Sequence, residues 1–378
     1  MNKLFLALLA ASLPLSAQAL TFEYPYLYKD PRAMGMGGAG VAVGGSAGSL
    51  FSNPAGLAKI DPEVGIEVDL LPLNISYNDN VQSFADAMKA ATDSSLTQTQ
   101  QDQATNDVLR AYMGKNLHFD FQTFPSVAKK GEEIGFAVGY LATGKFDGRS
   151  HQGFGTEGLL EVDANATSGP VFGFSYDLMG GDLSVGMSWK NLDRTSVRHN
   201  FTARELVEQS NTMGTYIKDN VKQEGSGNAI DLGAIYKLSK DDAWRPTVGI
   251  SLLNVGGLDF GGAGKIPSTV NVGIAAHPDV GFFNLWTVAV DYVDVFNGYE
   301  QDKDIKKRLR LGGEIRFWEN PFTGMAARAG LYQNKPTFGA DFRLLTFKFM
   351  YTTYTEEVGA YAGQDPDRRH MLSFVFGW

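Results

Sequence analysis

From Ile66 to its end the chain repeatedly places an apolar residue at every second position. Ile66, Val68 and Leu70 alternate with Glu67 and Asp69, and the phase then shifts to Leu71, Leu73, Ile75 and Tyr77. That shift predicts a bulge near Pro72. The same period returns in Leu117, Phe119 and Phe121, and in Ile134, Phe136, Val138 and Tyr140. Later runs are Phe172 to Tyr176, Leu183 to Trp189, Val248 to Leu252, Val270 to Ile274 and Trp286 to Tyr292. A period of two is that of a β-strand with one apolar face. Two stretches break it. Val81, Phe84, Ala85 and Met88 have helical spacing, as do Leu206, Met213, Tyr216, Ile217 and Val221. They predict helical insertions between strands.

The C-terminal third is the most regular. Leu309, Leu311, Ile315 and Phe317 alternate with Arg310, Gly312, Glu314 and Arg316, and the turn Glu319-Asn320-Pro321 leads to Met325, Ala327, Ala329 and Leu331. The break at Leu344 and Leu345, between two aromatic-rich runs, marks a tight turn. The last run is Leu372, Phe374, Phe376 and Trp378.

The start of the chain says where these strands go. Met1 to Ala19 has Lys3, an apolar run from Leu4 to Leu15, and Ala17-Gln18-Ala19 as a small-x-small cleavage site. This is the pattern of a secretory signal peptide, and its apolar run is too short to span a bilayer. No later segment reaches the ~20 consecutive apolar residues of a spanning helix. An exported chain that enters a membrane without such helices must close its strands into a barrel, so that every backbone donor and acceptor is paired. Repeated runs of about ten alternating residues are the signature of that architecture. The absence of cysteine removes disulfides, thiolate metal sites and cysteine nucleophiles. A net charge of −9 argues against a nucleic-acid partner.

Between the leader and the first strand lies a glycine-rich segment in which seven of the fourteen positions from Gly35 to Gly48 are glycine. Such a backbone makes neither a stable helix nor a good strand, but it can thread a confined space. It ends on the turn signal Asn53-Pro54-Ala55. The wording A-M-G-M-G-G-A-G-V-A-V followed by F-S-N-P-A-G-L-A resembles the outer-membrane FadL-like family, whose N-terminal segment plugs the barrel and carries an N-P-A motif. Within that family it looks most like the TraF-type plasmid-transfer and PorV-type secretion branches. The resemblance implies an all-β fold: a transmembrane, antiparallel outer-membrane β-barrel of about fourteen strands, with helical insertions in extracellular loops. The bounds expected are a signal peptide at 1–19, a plug at 20–62 and a barrel at 63–378. Sixteen strand-like runs can be counted, Gly158 to Thr167 and Ser196 to Ala203 being the weakest. Fourteen is the family number, and an even number suits termini on one side.

The resemblance assigns the plug motif to Asn53, Pro54 and Ala55, with Gly35, Gly37, Gly38 and Gly40 before it. It also makes Phe374, Phe376 and Trp378 the signal read by the outer-membrane insertion machinery during biogenesis. If the apolar alternates face lipid, then Asp231, Lys237, Asp291, Arg310, Glu314, Arg316, Arg328, Asp341, Arg343 and Lys348 face the lumen. Charges on the lipid face would cost about 2–4 kcal/mol each near the midplane. Inside, they serve either as a network that locks the plug or as part of a substrate path.

Two catalytic patterns lack their context. Gly35, Gly37 and Gly40 fit a dinucleotide fingerprint but follow a leader rather than a strand, and Gly44-Gly45-Ser46-Ala47-Gly48 fits a hydrolase elbow without strand or helix around it. The five histidines never stand three or four apart, so no metal and no cofactor is expected, and no enzyme. The expected function is passive uptake of small hydrophobic molecules across the outer membrane, past a plug that shifts or through a lateral gap. The alternative is a docking protein of a conjugation or secretion apparatus, bound to a protein partner and carrying no small cargo.

Overall fold

Alternating sequences build long, two-faced strands here, and the strands close on themselves. The computed structural model describes residues 23–61, 65–152, 158–239, 243–278, 285–320 and 322–377; the leader, Pro62, Pro321 and Trp378 lie outside them. Strand β1 is Ile66–Asn78, and β2 comes in two parts, Asn116–Thr123 and Ser126–Lys130, which both pair with β1 and with β3. Then follow β3 (Ile134–Gln152), β4 (Gly158–Leu178), β5 (Leu183–Thr202), β6 (Gln223–Lys237) and β7 (Thr247–Leu253). The rest are β8 (Thr269–Ala276), β9 (Leu285–Tyr292), β10 (Leu309–Glu319), β11 (Thr323–Tyr332), β12 (Lys335–Leu344), β13 (Phe347–Glu357) and β14 (Pro366–Gly377). Each pairs antiparallel with its sequence neighbours, and β14 returns to β1 with Leu73 opposite Phe374 and Ile75 opposite Leu372. The result is a closed barrel of fourteen strands.

The two weakest runs are not separate strands. They extend β4 and β5, which hold 21 and 20 residues. A spanning strand needs only about 9–11 residues, so these two project well beyond a bilayer. The bulge in β1 falls at Leu70, two residues before Pro72, where the register with β14 shifts between Asp69 and Leu71. In β2 the break is at Phe124-Pro125, where proline has no amide to give the ladder. Phe124 turns inward there and is buried.

The outer wall is apolar. Phe136, Val138 and Tyr140 are 42%, 47% and 52% exposed, while Ala137 between them is buried inside. Among the described residues no helix is long and apolar enough to cross a membrane. The four longest connections, which follow β1, β5, β7 and β9, all lie at one end of the barrel, as the external loops of outer-membrane barrels are longer than the periplasmic turns.

At the long-loop end, α2 (Asp79–Ala91) and α3 (Gln98–Ala111) join β1 to β2, and α4 (Ala203–Glu208) and α5 (Met213–Asn220) join β5 to β6. Asn78 caps α2, and Thr97 and Thr202 cap α3 and α4 in capping boxes with Gln100 and Glu205. Phe84, Leu109, Leu117, Leu160, Val162 and Phe201 form one buried cluster that ties the helices to the projecting strands.

Candidate functional site: the filled lumen and its cavity

Residues 23–61 lie inside the ring of strands. A strand glycine meets this segment on each of β3 to β8 and β10 to β12, at a place where a side chain would collide with it. Added Cβ atoms on Gly186 and Gly312 would come within 2.4 Å of Ala55 N and 2.0 Å of Met36 O, and one on Gly330 within 2.5 Å of Gly37 N. At these places the backbone of the segment lies directly against the backbone of the barrel.

The segment begins extended, with Tyr24, Tyr26 and Tyr28 at alternate positions. Lys29 is buried between Glu23 (2.7 Å) and Glu356 (2.6 Å), and Glu23 also pairs with Arg369 (3.0 Å) and Lys145 (3.2 Å). Burial would raise the Glu23 carboxyl, but Arg369, Lys145 and Lys29 outweigh it and hold it well below the usual range. Lys145 in turn pairs with Asp147 (2.7 Å), which also meets His118 Nδ1 (2.7 Å).

Asp30 then caps α1 (Pro31–Gly35) by accepting from Arg32 N, with Pro31 in the first turn where its missing amide costs nothing. Arg32 makes a two-pronged contact with Glu314 on β10, at 2.9 Å through each nitrogen. Glu314 also binds Arg328 (2.6 Å) and Arg316 (3.0 Å), and Arg328 continues to Asp341 (2.9 Å) and Asp341 to Lys348 (3.3 Å).

Beyond α1 the backbone turns at Gly37, whose positive φ and closeness to the carbonyls of Leu311 and Leu331 leave room for no other residue. Asp291 Oδ2 on β9 accepts from Gly40 N (2.6 Å) and Val41 N (2.9 Å). Asn53 sets the far end. Its Nδ2 donates to Val41 O (2.7 Å), and at 3.2 and 3.3 Å reaches Ala234 O on β6 and Ile250 O on β7, while its Oδ1 caps the 3-10 helix Pro54–Lys59 through Ala55 N. Ser46 precedes another 3-10 helix (Ala47–Phe51), so the serine of the hydrolase-like pattern has no strand before it.

A cavity of about 160 Å³ remains between this segment and the wall. Tyr24, Tyr26, Tyr28 and Phe51 supply its aromatic surface, Met34, Met36 and Val41 its aliphatic surface, and Lys190, Asn271, Asp291 and Arg310 its polar edge. Lys190 is buried and held by Asp231 (2.8 Å) and Asn254 (3.0 Å).

The lumen residues proposed from sequence thus divide. Asp291 and Arg310 reach the cavity, Asp231 stands behind Lys190 at its edge, and Glu314, Arg316 and Arg328 gather elsewhere around Arg32. Gly35, Gly37, Gly38, Gly40, Asn53, Pro54 and Ala55 all belong to the segment inside the barrel. Phe374 and Phe376 lie on the outer face of β14 against Phe347, and Trp378 is outside the described residues. Sequence reasoning missed the cluster of Glu23, Lys29, Lys145, Asp147, Glu356 and Arg369, and it missed Lys190. Arg369 was within reach: counting back by twos from Ser373 puts it on the inner face of β14.

Neither a protein-family model nor a curated protein matches the sequence. Solved structures do match. The monoaromatic hydrocarbon channel TodX of Pseudomonas putida, as a deltaS2S3 mutant, aligns with 10% identity over 92% of this chain and 98% of its own, with a TM-score of 0.54. The toluene transporter TbuX of Ralstonia pickettii aligns with 11% identity over 93% and 99%, also at 0.54. A TodX deltaS2 mutant gives 11% identity over 96% and 100%, at 0.53. At such low identity these likenesses show architecture alone: the chain has the fold of those barrels.

Proposed function

We propose that this protein is an outer-membrane channel for passive uptake of small hydrophobic molecules, with residues 23–61 as its plug. The observation that carries the reading is the small, mostly apolar cavity between that segment and the wall of a membrane barrel. An apolar cavity of about 150 Å³ is known to accept a benzene ring, so a site of this size suits a single-ring molecule. The similar structures, named as a toluene transporter and monoaromatic hydrocarbon channels, are consistent with that class of cargo.

In this reading a ligand enters the cavity from the long-loop end. It leaves toward the short-turn end when the stretch between Met36 and Gly48 moves. The plug is fixed at its start by Glu23 and Lys29, in its middle by Arg32, and at its end by Asn53. Release therefore needs a local shift of the glycine-rich middle and not expulsion of the whole segment.

Uptake by intact cells tests this. A deletion strain is expected to accumulate radiolabelled toluene several-fold more slowly than its parent, and the wild-type gene to restore the rate. Equal rates with and without the gene would sink the uptake reading and leave a docking role in a conjugation or secretion apparatus.

A further inference from the structure

The helices of the long-loop end pack on the outside of the barrel wall. Leu160 on β4 stands directly opposite Ser150 on β3 and Phe201 on β5, and an unbroken register puts Ser150 on the same outer face as Tyr140. Leu160 and Phe201 are nonetheless buried, because α2 to α5 cover them from outside. The lumen is reached instead by the connection between β7 and β8. Leu258–Asp259 and Lys265–Ile266 pair there as a small hairpin, with a 3-10 turn at Gly261–Ala263. It folds inward, since a Cβ on Gly225 or Gly227, which share the inner face of β6 with Asp231, would collide with the backbone of Phe260 or Asp259.

The two faces of this hairpin differ. Leu258, Phe260, Ala263 and Ile266 are buried in one cluster with Leu27 of the plug and Leu192 of β5, while Asp259 and Lys265 are exposed. Ile266, with Leu253 and Asn254 at the base, lines the cavity. Among the described residues no backbone hydrogen bond joins 257–266 to a strand of the barrel. Side chains hold it instead. The Arg194 guanidinium lies 4.6 Å from the centre of the Phe260 ring, Asn254 N donates to Asp231 (2.7 Å), and Lys190 Nζ donates to Asn254 Oδ1 (3.0 Å). Just beyond Asn254 stand Gly256 and Gly257, both at positive φ, where glycine lets the chain swing without strain.

We propose that the hairpin of residues 258–266 is the lid of the cavity, hinged at Asn254 to Gly257 and latched by Lys190 and Asp231, and that it lifts to admit cargo. This deepens the uptake reading and rests on it. Lifting uncovers Leu258, Phe260 and Ile266, and an apolar molecule replaces their lost contacts where water does not, so such a lid favours hydrophobic cargo over ions.

The chain has no cysteine, so an introduced pair can form only one link. A Cβ on Gly262 would lie 3.8 Å from Gln223 Cβ, the usual spacing across a disulfide, and a bond there would tie the tip of the hairpin to β6. In cells producing the full-length protein with both Gln223→Cys and Gly262→Cys, oxidation is expected to bring toluene uptake down to the rate of the deletion strain. Reduction should restore it, and either single variant should be indifferent to oxidant. The mass of the joined peptides confirms the link. If the linked protein admits toluene as fast as the reduced one, the lid is overturned and the uptake reading survives. If wild type is no faster than the deletion strain, both fall. Should the reduced pair itself fall short of wild type, Asn254→Gly decides: it suits the positive φ at that position, keeps the backbone donor to Asp231 and removes the Lys190 contact. Uptake above the wild-type rate is then expected, and an unchanged or lower rate overturns the lid.

Discussion

Replacing Glu314 with alanine is expected to lower the unfolding free energy of the bilayer-embedded protein by about 3–5 kcal/mol, the usual cost of removing one partner from a buried ion pair. Glu314 is buried and holds three guanidinium groups, one of which, that of Arg328, is nearly inaccessible to solvent. Its loss strands Arg32 without a carboxylate and leaves Arg328 only Asp341. The damage is not confined to the wall, because Arg32 belongs to α1. Proteolysis within residues 31–59 should therefore become faster at denaturant concentrations that leave the strands paired. Arg316→Ala is the control: that side chain is partly exposed and also pairs with the exposed Glu319, so its removal should cost about 1 kcal/mol or less. Urea unfolding in lipid vesicles measures both. Equal, small losses in the two variants would mean that the network around Glu314 does not hold the plug.

The second large effect concerns shape alone. In Gly312→Ala the added methyl group would lie 2.0 Å from Met36 O and 2.4 Å from Met36 C, both backbone atoms that no change of rotamer can move. Alanine is tolerated in a strand, so the barrel should still assemble, but the plug must shift or leave its seat. Overpacking of this kind typically costs 1–3 kcal/mol, and combining Gly312→Ala with Gly186→Ala, some distance around the ring, should roughly sum the two. Gly313 is the matched control, since it faces outward and its nearest such contact is at 3.6 Å. The expected result is normal heat-dependent gel mobility for all variants and rapid cleavage near Arg32 and Lys59 in the double variant only. Cleavage as slow as in wild type would show that the plug does not depend on the close fit.

These two variants also mark what could be read from the sequence. The strands were legible because lipid on one side and a polar interior on the other force a strict two-residue period, as in Phe136, Val138 and Tyr140. The same period overcounted where β4 and β5 run past the bilayer, because a long strand with a polar stretch at mid-length looks like two. Asp30-Pro31 could have been read as a helix start, and it was hidden by the glycines that follow. In the lumen, alternation puts Glu314 and Arg310 on the same face but does not say which partner each takes. That depends on the path of the plug across the barrel, which is set by glycines spread over nine strands and by contacts such as Lys29 with Glu356, 327 positions apart. The cavity was illegible for the same reason: its walls come from the plug and from several strands, and it is the space left over when they meet.

The most direct test of the account is the single-channel conductance of the wild-type protein in a planar bilayer beside a variant lacking Gly35 to Gly48. A barrel of fourteen strands closed by its own N-terminal segment should pass little current as wild type and give large, frequent ion-conducting events once that stretch is removed. Equal conductance from the two proteins would contradict the claim that residues 23–61 close the channel.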